Sequence, residues 1–516
     1  MYFIKKTGKI TMKRLIGIKV VLVFFILVSF VQAKDSLPAE ITLFKNVNIF
    51  DGKSDSLKMG YDVLVVRNLI KKIAKDIPSS GSYELDVTSG GVKKIHVPSG
   101  YDSNTYTINV KTGDAKTEKK QVKVNIIDGG GRTLMPGLIE GHGHLQMNGT
   151  SLADIENNRN WEELAIRSAA KAKAALMDGF TTWRDAGGMG AGLRKSIDAG
   201  VVVGPRIYPA GAFIGPTGSH ADFRNFTTPN ETVYGANSAG SRLGMTFTAD
   251  STDMIKTGAR QNFMQGATQI KIMSSGGVAS AFDPWQLDAY SAEEIQAAVE
   301  IADAYGSYVM SHAYSKKSIM RCLENGVKTL EHTFMFDGDV AELMKEKGAY
   351  MTTNMHAFSP ELGKIEAISS SPASARKAAT AQAAFGDFID NVNKYQPKFG
   401  FNADCVGFGD SCTKQTDHEI FLSAKFLGNH FALKSMTSVN GEIVALSGDV
   451  LNPYIEGPLG VVEEGAYADL LLVDGNPLED ITVIGGSEKW FDAPDRDGIE
   501  TMRVIMKDGK IYKNTL

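Results

Sequence analysis

Cysteine is almost missing from this sequence. Cys322, Cys405 and Cys412 are the only three among 516 residues. That is too few for a disulfide framework, and no Cys-x-x-Cys pair offers a metal knuckle. A Cys405–Cys412 bridge stays open for an oxidising compartment. An excess of either charge is missing too. Fifty-five basic and 59 acidic residues leave a net charge of −4, which argues against nucleic-acid binding as the main task. Beyond residue 33 no stretch is apolar enough to span a membrane. Glycine, by contrast, is abundant at 53 residues. Much of it sits in short loops between apolar runs, as in a βα-repeat enzyme whose site is built from loops. The 43% hydrophobic and 22% charged composition is ordinary for one large globular domain or two.

The first 33 residues read as a targeting segment. Lys5, Lys6, Lys9, Lys13 and Arg14 form a basic region, and Leu15 to Phe30 is apolar apart from Lys19. Val31-Gln32-Ala33 then supplies small residues at the −3 and −1 positions of a cleavage site. Met12 would serve as an alternative start and give a more usual signal length. Cleavage after Ala33 implies a secreted or periplasmic protein with no stable membrane span. The alternative is an uncleaved anchor, because the apolar run borders on spanning length.

Past this segment, residues 41–77 carry short strand patterns separated by turns, such as Asp51-Gly52. Residues about 79–121 are rich in Ser, Gly, Lys and Thr and read as an insertion of loops or a polar hairpin. From residue 135 to about 454, short apolar runs alternate with helical patterns. Trp161 to Asp178 is a predicted helix ended by Gly179, and Ser291-Ala-Glu-Glu294 is a capping box opening another. A longer helical stretch covers roughly 373–395. About eight strand–helix units result, which predicts an α/β fold with a (β/α)8 TIM barrel. The tail from about residue 455 reverts to strand patterns. The two flanking β segments, 34–134 and 455–516, each have too few strands to bury a face, so they predict one composite β-sandwich.

Within the barrel, Met135-Pro-Gly-Leu-Ile-Glu-Gly-His-Gly-His144 ends an apolar strand in two histidines one residue apart. A strand's period of two puts His142 and His144 on one face and Gly143 on the other, which is half of a metal site. Further candidates fall at the C-terminal ends of later strands, where barrel enzymes keep their chemistry. These are Lys271, His312, His332 and Asp410. Each has a bland reading taken alone: Lys271 a buried ion pair, His312 and His332 satisfied core histidines, Asp410 a helix N-cap. Asp404 is the reserve for Asp410. His220, Tyr290 and His356 are candidate substrate contacts. Arg184 and Asp185 read as a structural pair, and His96, His418 and His430 as surface or structural residues.

Taken together these motifs resemble the metal-dependent amidohydrolase superfamily, nearest its imidazolonepropionase-like and Xaa-Pro dipeptidase-like subgroup. They are His142-Gly-His144 after Pro136-Gly-Leu, Lys271 within Gln-Ile-Lys-Ile-Met-Ser-Ser-Gly-Gly, His312, Glu331-His332-Thr and Asp410. The tail Gly460 to Pro477 shares the likeness. Glu140, and Asp410 within Gly-Asp-Ser, depart from the family's usual residues. The resemblance implies two divalent cations, usually zinc. His142, His144 and Asp410 would hold one and His312 and His332 the other, with a CO2-derived carbamate on Lys271 bridging both. Asp410 would shuttle the proton. The implied reaction is hydrolysis of an amide-type C–N bond in a small substrate. A dipeptide of Xaa-Pro type or an N-acyl amino acid is the first candidate, and a cyclic amide or other carboxamide the alternative. A deaminase of this superfamily would carry Glu where Ser315 stands, and a true imidazolonepropionase would lack Lys271. A non-catalytic binding relative would have lost ligands. A homo-oligomer is compatible with the sequence.

Overall fold

The computed structural model describes residues 36–38, 40–86, 94–96, 105–111, 117–405 and 412–516, apart from 148, 151, 236–237, 279, 281–282 and 370. The targeting segment and Asp410 lie outside the described residues. No described helix is long and apolar enough to cross a membrane.

Both ends of the chain enter one ten-stranded sheet. Leu470–Val473, from the C-terminal segment, runs antiparallel to Thr133–Pro136, pairing Leu471 with Met135. Thr133–Pro136 in turn lies parallel to the end of Ile41–Ile49. Alternation of side chains along these strands serves two interiors. Leu470, Leu472 and Val504 join Phe44, Val63 and Leu134 in one core cluster. Leu471, Val473 and Ile505 join Met135, Leu138, Phe180 and Phe401 in another. A strand buried on both faces has no polar face to show, which explains the unbroken Leu-Leu-Leu-Val run. Each fully buried leucine here contributes roughly 1.5–3 kcal/mol. In the polar insertion, Thr105–Lys111 pairs antiparallel with Thr117–Asp128.

Apart from the short pair Ser36–Pro38 and Lys94–His96, the remaining described strands are parallel and fall into two sheets. One holds Leu138–Gly143, Phe180–Asp185 and Arg206–Tyr208. The other runs from Thr246–Thr248 through Phe213–Gly215, Ile270–Met273, Val309–Ala313, Thr329–His332 and Tyr350–Thr352 to Phe399–Gly400. Backbone hydrogen bonds join them at both edges: Gly141 N–H to Phe401 O at 3.1 Å and Thr268 N–H to Pro209 O at 2.7 Å.

Two details differ from the sequence reading. The apolar run Arg206 to Phe213, read as one strand, splits into Arg206–Tyr208 and Phe213–Gly215, and Thr246–Thr248 adds a further strand. The long helix over 373–395 is two helices, Pro372–Ala383 and Phe385–Tyr395, joined at Ala384. The helix Trp161–Met177 starts at an Asn160 cap, and Gly179 takes φ +90° just past its end. The Ser291–Glu294 capping box opens Ala292–Ala304.

Candidate active site

Side chains from the C-terminal ends of the parallel strands converge on one cavity that opens to solvent. His142 comes from Leu138–Gly143 and His144 directly follows it, Lys271 comes from Ile270–Met273, His312 from Val309–Ala313 and His332 from Thr329–His332. Gly143 points away from them, and a Cβ there would overlap the Trp183 ring at 2.2 Å. Its lack of a side chain is what lets two histidines flank it on one face. Asp404, four residues past Phe399–Gly400, completes the floor. Its Oδ1 lies 3.5 Å from His144 Nε2 and 3.6 Å from His142 Nε2, and Oδ2 lies 3.9 Å from His332. Lys271 Nζ sits 3.4 Å from His142 Nε2.

The backbone is strained at this place. His332 (φ 71°), Thr333 (φ 47°) and Asp404 (φ 41°) all adopt left-handed conformations. Such conformations cost about 1–3 kcal/mol each for residues with a side chain. Asp404 is held by its N–H on His142 O at 3.1 Å, and Thr333 by its N–H on Ala313 O at 3.2 Å.

Each histidine has one ring nitrogen engaged by an acceptor behind it. His142 Nδ1 meets Glu331 Oε2 at 2.7 Å, and His144 Nδ1 meets Gly187 O at 3.0 Å. His312 Nε2 meets Gly276 O at 3.0 Å, and His332 Nδ1 meets Asn354 Oδ1 at 3.0 Å. Every partner atom is an acceptor, so the engaged nitrogen carries a proton and the other is turned toward the cavity floor. Nε2 of His142 and of His144 lie with an Asp404 oxygen within 4.8 Å of one another, close enough for one cation. Burial drives His142 and His312 well below the usual imidazole range, and holds His332 down at about 4, against the pull of Asp404. Neutral imidazoles are what a metal needs. Burial lowers Lys271 to about 8 despite Glu331 and Asp404 nearby, so a neutral amine able to take up CO2 is within reach. Burial works to raise the Asp404 pKa, but the hydrogen bond to His144 and the neighbouring His142 and His332 hold it well below the ordinary carboxylate range. This donor set fits divalent cations.

The structure therefore brings five of the six predicted ligands together and sets Asp404, the reserve candidate, beside them, while Asp410 lies outside the described residues. Between them comes Cys405, which forms a disulfide with Cys412, the two Cα atoms 5.6 Å apart.

Among the substrate-contact candidates, His220 and His356 line the cavity and Tyr290 does not. Tyr290 is buried in the core, its hydroxyl donating to Ala249 O at 3.1 Å. His220 stacks on His312 at 4.2 Å. Arg184 does not pair with Asp185, because successive side chains leave a strand on opposite faces. It instead donates to both oxygens of Glu331, at 3.0 and 2.8 Å. Asp185 accepts from Gly187 and Ala210 N–H, and burial pushes its carboxyl up to about 7. Burial likewise raises Glu140 to about 8. His418 is buried against Trp490 and meets Ser487 O, a structural role.

Three site residues escaped the sequence reading. Glu331 orients His142, Asn354 orients His332, and Tyr314 places its ring 4.4 Å from His312 and 5.0 Å from His332. All three lie in or just past parallel strands, at the ends that carry the histidines, and that position was the available signal. Above this floor the walls are apolar, including Phe213, Phe223, Phe334, Leu362, Ile365 and Ile368.

Comparison with known proteins agrees with this geometry. The profile of the Amidohydrolase family matches residues 133–512. Ochratoxinase of Aspergillus niger is 28% identical over 391 residues, covering 74% of this chain and 75% of the relative. Among solved structures, a prolidase complexed with N-methylphosphonate-L-proline superposes with a TM-score of 0.73 at 30% identity, covering 92% of this chain and 100% of that one. A Xaa-Pro dipeptidase with bound methionine in its active site gives 0.69 at 26% identity, with 92% and 100% covered.

Proposed function

Because the chain belongs to the Amidohydrolase family, and so is a hydrolase acting on C–N bonds, we propose that it cleaves small amides at a pair of divalent cations. The observation that carries this reading is the convergence of four imidazoles, each with one nitrogen on an acceptor behind it, around the Asp404 carboxylate and the Lys271 amine. His142, His144 and Asp404 would hold one cation, His312 and His332 the second, and Lys271, as its carbamate, would bridge them. Zinc is the first candidate. When bound, such a pair supplies an activated water and polarises the scissile carbonyl.

The chain's own residues do the rest. Asp404, kept ionised, takes a proton on a carboxylate oxygen from the attacking water and passes it to the leaving nitrogen. Burial holds the Tyr314 hydroxyl protonated, so it donates to the substrate's carbonyl oxygen. His220, at the cavity wall, contacts the substrate beside it. The apolar walls exclude bulk water and receive an apolar substituent.

The substrate we favour is a dipeptide of Xaa-Pro type or an N-acyl amino acid, supported by the prolidase and dipeptidase likenesses. The walls favour a second reading, an uncharged carboxamide. Among the described lining residues none is an arginine, so no guanidinium waits for a free carboxylate. A matched panel of dipeptides, N-acyl amino acids and their uncharged amides, with bound metal counted in parallel, tests both. Release of the amine with about two metals per chain supports the reading. Fewer than one metal, unchanged by Lys271→Ala, would defeat it.

Two further parts of this reading concern architecture and location. The two parallel sheets, hydrogen-bonded at both edges, are read as one barrel spanning residues 135–454. The shared core of Phe44, Val63, Leu472 and Val504 supports a composite sandwich of 34–134 and 455–516. Export with cleavage after Ala33 is supported by the Cys405–Cys412 disulfide, which needs an oxidising compartment. N-terminal sequencing of the exported protein tests it.

A further inference from the structure

Three of the four acceptors behind the histidines can only accept: the Glu331 carboxylate and the carbonyls of Gly187 and Gly276. The fourth, Asn354, is an amide that could present either end. Turned round, its Nδ2 would face His332 Nδ1, forcing the His332 proton onto Nε2 and removing the lone pair meant for the cation. Something must therefore fix that amide.

The residue in place to do so is His356. Its Nε2 lies 3.5 Å from Asn354 Nδ2 and 3.2 Å from Gln415 Nε2. Its Nδ1 meets Glu419 Oε2 at 2.9 Å. Glu419, with no exposed surface, also accepts the backbone N–H of Met355 at 2.6 Å and of His356 at 2.8 Å. A carboxylate there puts the His356 proton on Nδ1 and leaves Nε2 as an acceptor. An acceptor at Nε2 in turn requires the Asn354 NH2 to face it, so Asn354 Oδ1 faces His332. The same Nε2 draws in the amide of Gln415, whose Nε2 also donates to Ala403 O at 2.7 Å and Asp404 O at 3.2 Å. Gln415 and Glu419 sit one turn apart on Cys412–Leu427.

We propose that His356 is a positioning residue: held by Glu419, it fixes the proton of His332 through Asn354 and the backbone of Asp404 through Gln415. This inference rests on the metal-centre reading above and goes beyond it by tying both halves of that centre to one buried carboxylate. It also reassigns His356, which lines the cavity but whose polar atoms are engaged within the protein.

The test reads metal, not only turnover. Zinc content and affinity are measured by chelator competition on the wild type, Glu419→Gln, Asn354→Leu and the double variant. Thermal midpoints are taken on the metal-stripped forms. Glu419→Gln keeps the shape but frees the His356 tautomer. It should weaken the looser zinc by about ten- to hundredfold, as loss of a ligand's hydrogen-bond partner does, while the metal-free midpoint stays near that of the wild type. Asn354→Leu should reproduce that loss, and the double variant should be little worse than Asn354→Leu alone, because the two act in one chain. Unchanged zinc affinity in Glu419→Gln would overturn the proposal, as would additive losses in the double variant. Should His356→Gln raise KM while zinc affinity holds, His356 is a substrate contact and the proposal is wrong. Zinc missing from the wild type would instead defeat the metal-centre reading itself, a distinct outcome.

Discussion

Two of the buried clusters of charged side chains among the described residues are built on opposite plans. One is the cavity floor around His142, Lys271 and Asp404. The other clamps the parallel strands to the ten-stranded sheet. In the clamp, Arg206 of Arg206–Tyr208 donates to Asp469 at 3.0 and 3.3 Å and to Asp508 at 2.6 Å. Its guanidinium lies between the rings of Tyr467 at 4.0 Å and Tyr454 at 4.8 Å. Lys507 donates to Gly204 O at 2.7 Å. Two cations thus face two anions, and every charged group has a partner. On the cavity floor Nε2 of His142 and of His144 turn inward, with only the Lys271 amine and the Asp404 carboxylate, 3.4–3.6 Å away, beside them. A structural cluster closes its own valences, while a binding cluster satisfies only the outward half and leaves the inner half for a ligand.

Breaking that contrast at the floor should give the largest effect. Asp404→Asn removes both a ligand and the proton carrier, and we expect turnover to fall by about a thousandfold with the fold intact. Asp410→Asn should leave turnover largely unchanged. Steady-state kinetics beside circular dichroism check both, and the reverse ranking would return the role to Asp410.

The clamp should fail differently. Arg206→Met strands Asp469 and Asp508 without their cation, and a broken buried pair costs about 3–5 kcal/mol. Denaturant titration should register that loss, while the remaining folded protein keeps its kcat. A large fall in kcat at full folding would mean the two clusters are not independent.

The smallest effect sharpens the clamp's charge balance. Burial, with Arg206 nearby, lowers Lys507 from 10.5 to about 8. Between those values the unfolded chain binds more protons than the folded one, so stability should rise with pH from about 8 to 10.5. Below about 8 both states are protonated and the burial penalty is paid in full. Lys507→Met should abolish that segment of the slope, measured as unfolding free energy against pH. A slope unaltered by the substitution would assign it to another group.

Reading the chain in order located much of the floor, because its donors follow a rule that leaves a trace in sequence. His142, Lys271, His312 and His332 each end or sit within a short apolar run, and a parallel strand delivers such a residue to one rim. Asp404 follows a two-residue strand and sits in a loop with no period, so the sequence pattern favours Asp410 and leaves Asp404 in reserve. Tyr290 and Tyr314 were likewise indistinguishable by local pattern. Their separation into core and cavity depends on where Ala249 and His332 pack. The Arg184–Glu331 pair spans 147 residues, and no neighbour relation announces it.

The order of residues determined which side chains could reach the rim, since strand period and the direction of parallel strands are set locally by apolar spacing. It also determined that both chain ends would seek a partner, each having too few strands to cover itself. Only the folded molecule decided which nitrogen of each histidine is committed and which aspartate faces them. Those choices depend on acceptors such as Glu331, Asn354 and Gly187, brought from distant segments to within about 3 Å, where a hydrogen bond forms.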